Sequence, residues 1–193
     1  TASATVTVAV TAKDTVAPVA TVPVVSVGGT QSGETVPVTV SWSATDVGSG
    51  VASYQLQRSL NGGPFINVTL PAPNATSVQL NLLAESYAFR VRATDAAGNV
   101  GTFQTSAIVR PVLLAEQAAI TTGAWTVAEL AGPTGNVLKF ATAAGATAQL
   151  TFRGSSVGWI AVLGPNRGIA QVSVDGSAPV AIDLYSPTVI FRR

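Results

Sequence analysis

Carboxylates are nearly the only reactive groups this chain offers. Its 193 residues include nine Asp plus Glu but no His, Cys or Met. The imidazoles, thiols and thioethers that serve as nucleophiles, general bases and transition-metal ligands are therefore missing. Hydrolysis would have to rest on paired acids, one protonating a glycosidic oxygen while the other attacks or activates water. The acids are dispersed instead. Asp46, Asp95, Asp175 and Glu34 all stand in turn sequences, where Asp side chains hydrogen-bond their own backbone. The chain reads as a non-enzyme.

Hard cations are another matter, because calcium asks only for several oxygen ligands. Asp46, Asp95 and Asn99 would converge if their loops share one end of a β-sandwich, although no EF-hand spacing is present and each acid also suits plain turn-making. Calcium is thus the one cofactor to look for. Sugar binding needs an exposed aromatic to stack on a pyranose and planar donors and acceptors for its hydroxyls. Trp125 and Tyr185 supply rings, while Arg167, Asn166 and Asp183 supply polar groups, with Arg153 as a further donor. Each has a plainer reading. Trp125 also suits an anchor for the first strand of its block, and Arg167 a solvated arginine in the loop Gly164-Pro-Asn-Arg-Gly168. Trp159 lies inside an apolar run and is expected in the core. Two tripeptides, Asn67-Val-Thr69 and Asn74-Ala-Thr76, match the glycosylation pattern and matter only in a host that glycosylates.

Charge narrows the partners. Ten Lys plus Arg against nine Asp plus Glu give a net charge of +1, so there is no basic face for phosphates, and no nucleic-acid partner is expected. Hydrophobic residues reach 47%, yet Pro, Gly and charge keep every apolar run well short of the roughly 20 residues of a membrane helix. No membrane insertion is expected. Absence of oxidisable sulfur suits an oxidising exterior. The first residues lack a basic region followed by an apolar one, so the chain reads as an internal or processed segment.

These groups must be positioned by strands. Residues 4–12 alternate Thr with Val or Ala, the period-two pattern of a half-buried strand. Lys13-Asp14-Thr15-Val16-Ala17-Pro18 then interrupts it as a linker would. Strand signals follow at residues 36–44, 51–59, 65–70, 77–82, 87–94 and 100–109, with Asn61-Gly62 as a hairpin turn. Residues 112–120 suit a strand or a short helix equally. Strand signals resume at 125–130, 137–141, 147–152, 157–163, 169–174 and 180–185, with Asp175-Gly176 as a second hairpin tip.

Val40-Ser-Trp42, Tyr87-Ala-Phe-Arg-Val-Arg-Ala93 and Asp95-Ala-Ala-Gly-Asn99 together resemble a fibronectin type III or related bacterial Ig-like domain over residues 17–110. The resemblance implies a β-sandwich with Trp42 in its core and Tyr87 at a tyrosine corner, although Ala84-Glu85-Ser86 replaces the usual proline and glycine before the tyrosine. Gly164-Pro-Asn-Arg-Gly168, Ala170-Gln-Val-Ser-Val-Asp-Gly176 and Ile182-Asp-Leu-Tyr-Ser186 resemble the jelly-roll, galactose-binding-like modules of secreted bacterial proteins over residues 118–193. The expected fold is therefore all-β. Residues 1–13 would be the terminal strand of a preceding Ig-like domain or a donor strand, 14–111 an Ig-like sandwich, and 112–193 an unfinished jelly-roll sandwich. The expected function is a non-catalytic structural or adhesive module of an extracellular, cell-surface or filament protein. The alternative is a carbohydrate-binding appendage of a secreted glycoside hydrolase. The expected partner is an extracellular polysaccharide, or neighbouring copies joined by β-strand addition.

Overall fold

A computed structural model describes residues 12–29, 31, 33–129 and 137–191. All of the alternating stretch 4–12 except Ala12, and the donor-strand reading with it, lies outside the described residues. The chain is all-β, of the β-sandwich class. The first block holds β1 (Val19–Ala20), β2 (Val24–Val27), β3 (Val36–Ser41), β4 (Ala44–Thr45), β5 (Val51–Leu60), β6 (Ile66–Val68), β7 (Ser77–Leu82), β8 (Tyr87–Asp95) and β9 (Gln104–Thr105). The second holds β10 (Ile120–Thr122), β11 (Thr126–Glu129), β12 (Val137–Phe140), β13 (Thr147–Gln149), β14 (Val162–Leu163), β15 (Ile169–Val172), β16 (Val180–Asp183) and β17 (Ile190–Phe191). The apolar connector after Pro111 resolves into a 3-10 turn at Glu116–Ala118 that leads into β10.

Two compact units result, and neither follows sequence order. One comprises Thr1–Val24, Val40–Val78 and Ser86–Val109, and the other Val25–Thr39, Gln79–Glu85 and Arg110–Arg193. Strands β2, β3 and β7 make a three-stranded sheet in the order β2-β3-β7.

The first unit is organised by a four-stranded antiparallel sheet in the order β6-β5-β8-β9. Strand β8 obeys strict alternation: Tyr87, Phe89, Val91, Ala93 and Asp95 are buried, while the residues between them are half-exposed. Register follows from that pattern, since a slip by one residue would bring Arg90 and Arg92 into the core. The Asn61-Gly62 turn closes the β5–β6 hairpin with φ of 50° and 75°, angles that Asn and Gly tolerate at least cost. Opposite β5, Trp42 is buried and meets Tyr54 edge-on at 6.0 Å between ring centroids. Its backbone N–H donates to the Thr76 carbonyl at 2.9 Å. Strands β1 and β4 pair antiparallel, Val19 with Thr45 and Ala20 with Ala44. Pro18 and Pro23 flank β1 and keep it short, as prolines without an N–H must. The chain after β8 turns back so closely that a Cβ at Gly101 would overlap the Pro18 carbonyl oxygen.

In the second unit the C-terminal strands pair in twos: β10 with β13, β11 with β12, β14 with β17 and β15 with β16. Asp175 and Gly176 take φ of 51° and 74° at the tip of the β15–β16 hairpin. The buried apolar side chains of this unit include Val36, Val38, Leu82 and Val162. One expectation is corrected here. Trp159 is 54% exposed, because the run 157–163 forms a strand only at Val162–Leu163. The Gly154-Ser-Ser-Val-Gly158 sequence before it supplies little to hold a pleat.

Trp42→Ala should destabilise the chain by about 3–5 kcal/mol in urea melts, the usual result of emptying an aromatic core site. Trp42→Phe should lose much less, since the buried indole N–H has no hydrogen-bond partner to forfeit. A loss under about 1 kcal/mol for the alanine variant would mean that this ring does not organise the core.

Candidate cation site

Asp46 sits in the turn after β4 and Asp95 ends β8, so both stand at the same end of the first unit as the segment that leads into β1. That segment brings a third acid, Asp14. One carboxylate oxygen from each of the three lies within 4.8 Å of the others. This spacing is the span across a calcium ion, whose ligands at about 2.4 Å stand about 5 Å apart on opposite sides.

Each carboxylate is aimed by backbone donors. Asp14 Oδ1 accepts from the Val16 N–H at 3.0 Å, an Asx turn, and Oδ2 accepts from the Ser49 N–H at 2.8 Å. Gly48 makes room for this approach: it holds φ +145°, and a Cβ on it would collide with the Asp14 carboxylate. Asp46 Oδ2 accepts from the Gly50 N–H at 2.7 Å. Asp46 Oδ1 is buried and has no hydrogen-bond partner among the described residues. Asp95 is 2% exposed, and the backbone N–H and side-chain Nδ2 of Asn99 each donate to one of its oxygens at 2.7 Å.

Asn99 itself presents its amide nitrogen. Nδ2 donates to the carbonyl of Asp14 at 3.2 Å and, more weakly, to that of Val16 at 3.5 Å, besides Asp95. In this orientation Asn99 clamps the segment before β1 to the end of β8, and Asp14 stands as the third oxygen donor beside Asp46 and Asp95. In the sequence Asp14 stands in a stretch that reads as a linker. An Asx turn, in which the carboxylate accepts the backbone N–H two residues on, has no signature there beyond the Asp itself. Convergence across the sandwich has no local signature.

The residues weighed for sugar binding lie in the second unit. Gly164 and Tyr185 form an isolated parallel bridge, and Leu184 N–H donates to the Gly168 carbonyl at 3.1 Å. Asn166, Arg167, Asp183 and Tyr185 are thereby drawn to the loop between β14 and β15 and the end of β16. Tyr185 is 56% exposed, and Asp183 Oδ1 accepts from its backbone N–H at 2.8 Å. The Arg167 guanidinium lies 5.8 Å from the Phe140 ring centroid. Phe140 pairs in register with Thr126, the neighbour of Trp125. Trp125 is half-buried, with its indole N–H given to the Thr122 carbonyl at 3.0 Å.

The two backbone N–H groups on Asp14, Ser49 first and Val16 second, favour its ionised form and lower its pKa from 3.8 to about 2. A folded pKa below the ordinary value stabilises the fold above the ordinary pKa and loses that contribution as pH falls through the folded one. Stability should therefore decline between about pH 4 and about pH 2. Asp14→Asn should flatten that part of the profile in urea melts taken from pH 6 to 2, and Gly48→Ala should do the same by displacing the carboxylate. An unchanged slope in both would show that Asp14 makes these bonds no more in the folded chain than in the unfolded one.

No protein-family model matches this chain, and no curated protein matches it.

Proposed function

We propose that the chain is a non-catalytic structural module of an extracellular modular protein, and that Asp14, Asp46 and Asp95 hold a calcium ion that fixes the segment before β1 against the sandwich. The observation that carries this reading is the convergence of three carboxylates from segments far apart in sequence, with the buried Asp46 Oδ1 lacking a partner among the described residues. Anions so close repel one another unless a cation lies between them, and a buried acceptor without a donor is costly. A hard divalent cation removes both penalties. Extracellular modules bind calcium at about 10⁻⁴–10⁻³ M, matched to the surroundings of a surface protein. An all-β chain with no imidazole or thiol suits reach and rigidity better than turnover.

Calcium should raise the melting temperature of the whole chain progressively with its concentration, adding about 2.7 kcal/mol at a hundredfold excess over Kd. Asp46→Asn and Asp95→Asn should each abolish the increment. A melting temperature indifferent to calcium from micromolar to 10-millimolar levels (roughly the range such sites span) would remove the ion from the reading.

A second reading, the carbohydrate-binding appendage, draws support from the gathering of Asn166, Arg167, Asp183 and the exposed Tyr185 around Gly164. On this reading Arg167→Ala should abolish retention on an immobilised neutral glycan without altering the melting temperature. Retention that survives the change would set this reading aside.

A further inference from the structure

The outward face of the four-stranded sheet carries an arrangement that the core does not require. Alternation in β8 turns Arg90 and Arg92 away from the buried residues. The Arg90 guanidinium carbon lies 4.1 Å from the Phe65 ring centroid and 4.3 Å from that of Phe103, and the Arg92 carbon lies 4.6 Å from Phe103. All three distances are within cation–π range. The two Nε–H groups are held from the neighbouring strand. Arg90 Nε donates to Gln57 Oε1 at 2.7 Å and Arg92 Nε to Gln55 Oε1 at 2.8 Å, matching the register pairs Arg90 with Gln57 and Arg92 with Gln55. Asn67 on β6 then accepts from both glutamine Nε2 groups, at 2.8 and 2.9 Å.

Rings and amides thus fix the planes of two guanidiniums and use one N–H of each. The four Nη N–H donors on each remain without a protein partner among the described residues. Among the described residues the strands of this sheet bring no carboxylate to the face: β5, β6 and β9 contain no Asp or Glu, and Asp95, the acid of β8, is buried on the opposite side. A surface arginine is usually accompanied by an acid or left to sample rotamers. Here two are ordered and uncompensated, two residues apart on one strand and so about 6.8 Å apart.

We propose that this face binds an acidic polysaccharide, with Arg90 and Arg92 each taking one oxyanion, a uronate carboxylate or a sulfate ester, from successive charged sugars. Planar guanidiniums present paired N–H donors that match such groups bidentately. Prior ordering removes much of the entropy cost that a mobile arginine would incur on binding. A polysaccharide fits better than an acidic peptide. The face carries Ser53, Thr94 and Thr105 beside the arginines for sugar hydroxyls, and its two rings, Phe65 and Phe103, are taken up by the guanidiniums rather than offered to apolar peptide side chains. The proposal stands independently of the calcium site.

The test uses the full chain in a binding titration against polygalacturonate, dextran sulfate, neutral dextran and poly-glutamate at moderate salt. Wild type should bind polygalacturonate, dextran sulfate or both, and the preferred polymer identifies carboxylate or sulfate as the recognised group. Arg90→Gln and Arg92→Gln should each weaken binding at least tenfold with an unchanged melting temperature. Phe103→Leu, which keeps both charges but removes the shared ring, should also weaken it. Arg110→Gln, which removes the same charge from an exposed position elsewhere, should change affinity less than twofold. Failure of wild type to bind either acidic sugar polymer would overturn the proposal whatever the variants do. Equal binding to dextran, tighter binding to poly-glutamate, or equal losses from Arg110→Gln and Arg90→Gln would overturn it as well.

Discussion

The alternation of β8 is the constraint on which the rest of the first unit depends. One strand of nine residues delivers the fully buried ring of Phe89, the buried ends Tyr87 and Asp95, and the two outward arginines. Hydrophobic burial of one face fixes the register against β5, and that register places Gln55 and Gln57 opposite Arg92 and Arg90. The same register sets Asp95 at the end of the strand, within reach of Asn99. Core, outward face and carboxylate cluster are therefore three products of one period-two pattern. They are coupled, because a slip of one residue would spoil all of them together.

Much of this architecture was legible in local pattern. Strands β3, β5, β6, β7 and β8, and both hairpin tips, stand where alternation and the Asn-Gly and Asp-Gly pairs put them. Strands β1 and β2 were missed because Pro18 and Pro23 interrupt a Val-rich stretch that would otherwise read as strand. In the second block, apolar content alone placed Trp159 inside. A run with two glycines and two serines just before it does not hold a pleat long enough to bury it, and local composition says nothing about what packs over a strand.

The candidate sites were legible only in part, for a physical reason. Asp46 and Asp95 could be singled out as oxygen donors in turns, but Asp14 joins them through a chain reversal and a Gly48 that leaves space for it. Neither is visible to a spacing rule. The stacked arginines escaped for a similar cause. An arginine at alternate positions of a strand is unremarkable until the partners across the sheet prove to be neutral amides and the flanking loops bring in Phe65 and Phe103.

Those neutral partners, together with the absence of imidazole and thiol, give the chain very little buffering capacity at ordinary pH. Between about pH 5 and pH 8 no side-chain type that it contains has an ordinary pKa, and the acid with the clearest perturbation, Asp14, is displaced further from that window. The formal net charge of the side chains is +1, carried by residue types whose ordinary pKa values lie outside that window. A composition of this kind leaves dissolved ions, and the salt that screens its few fixed charges, as the ordinary levers on its electrostatics.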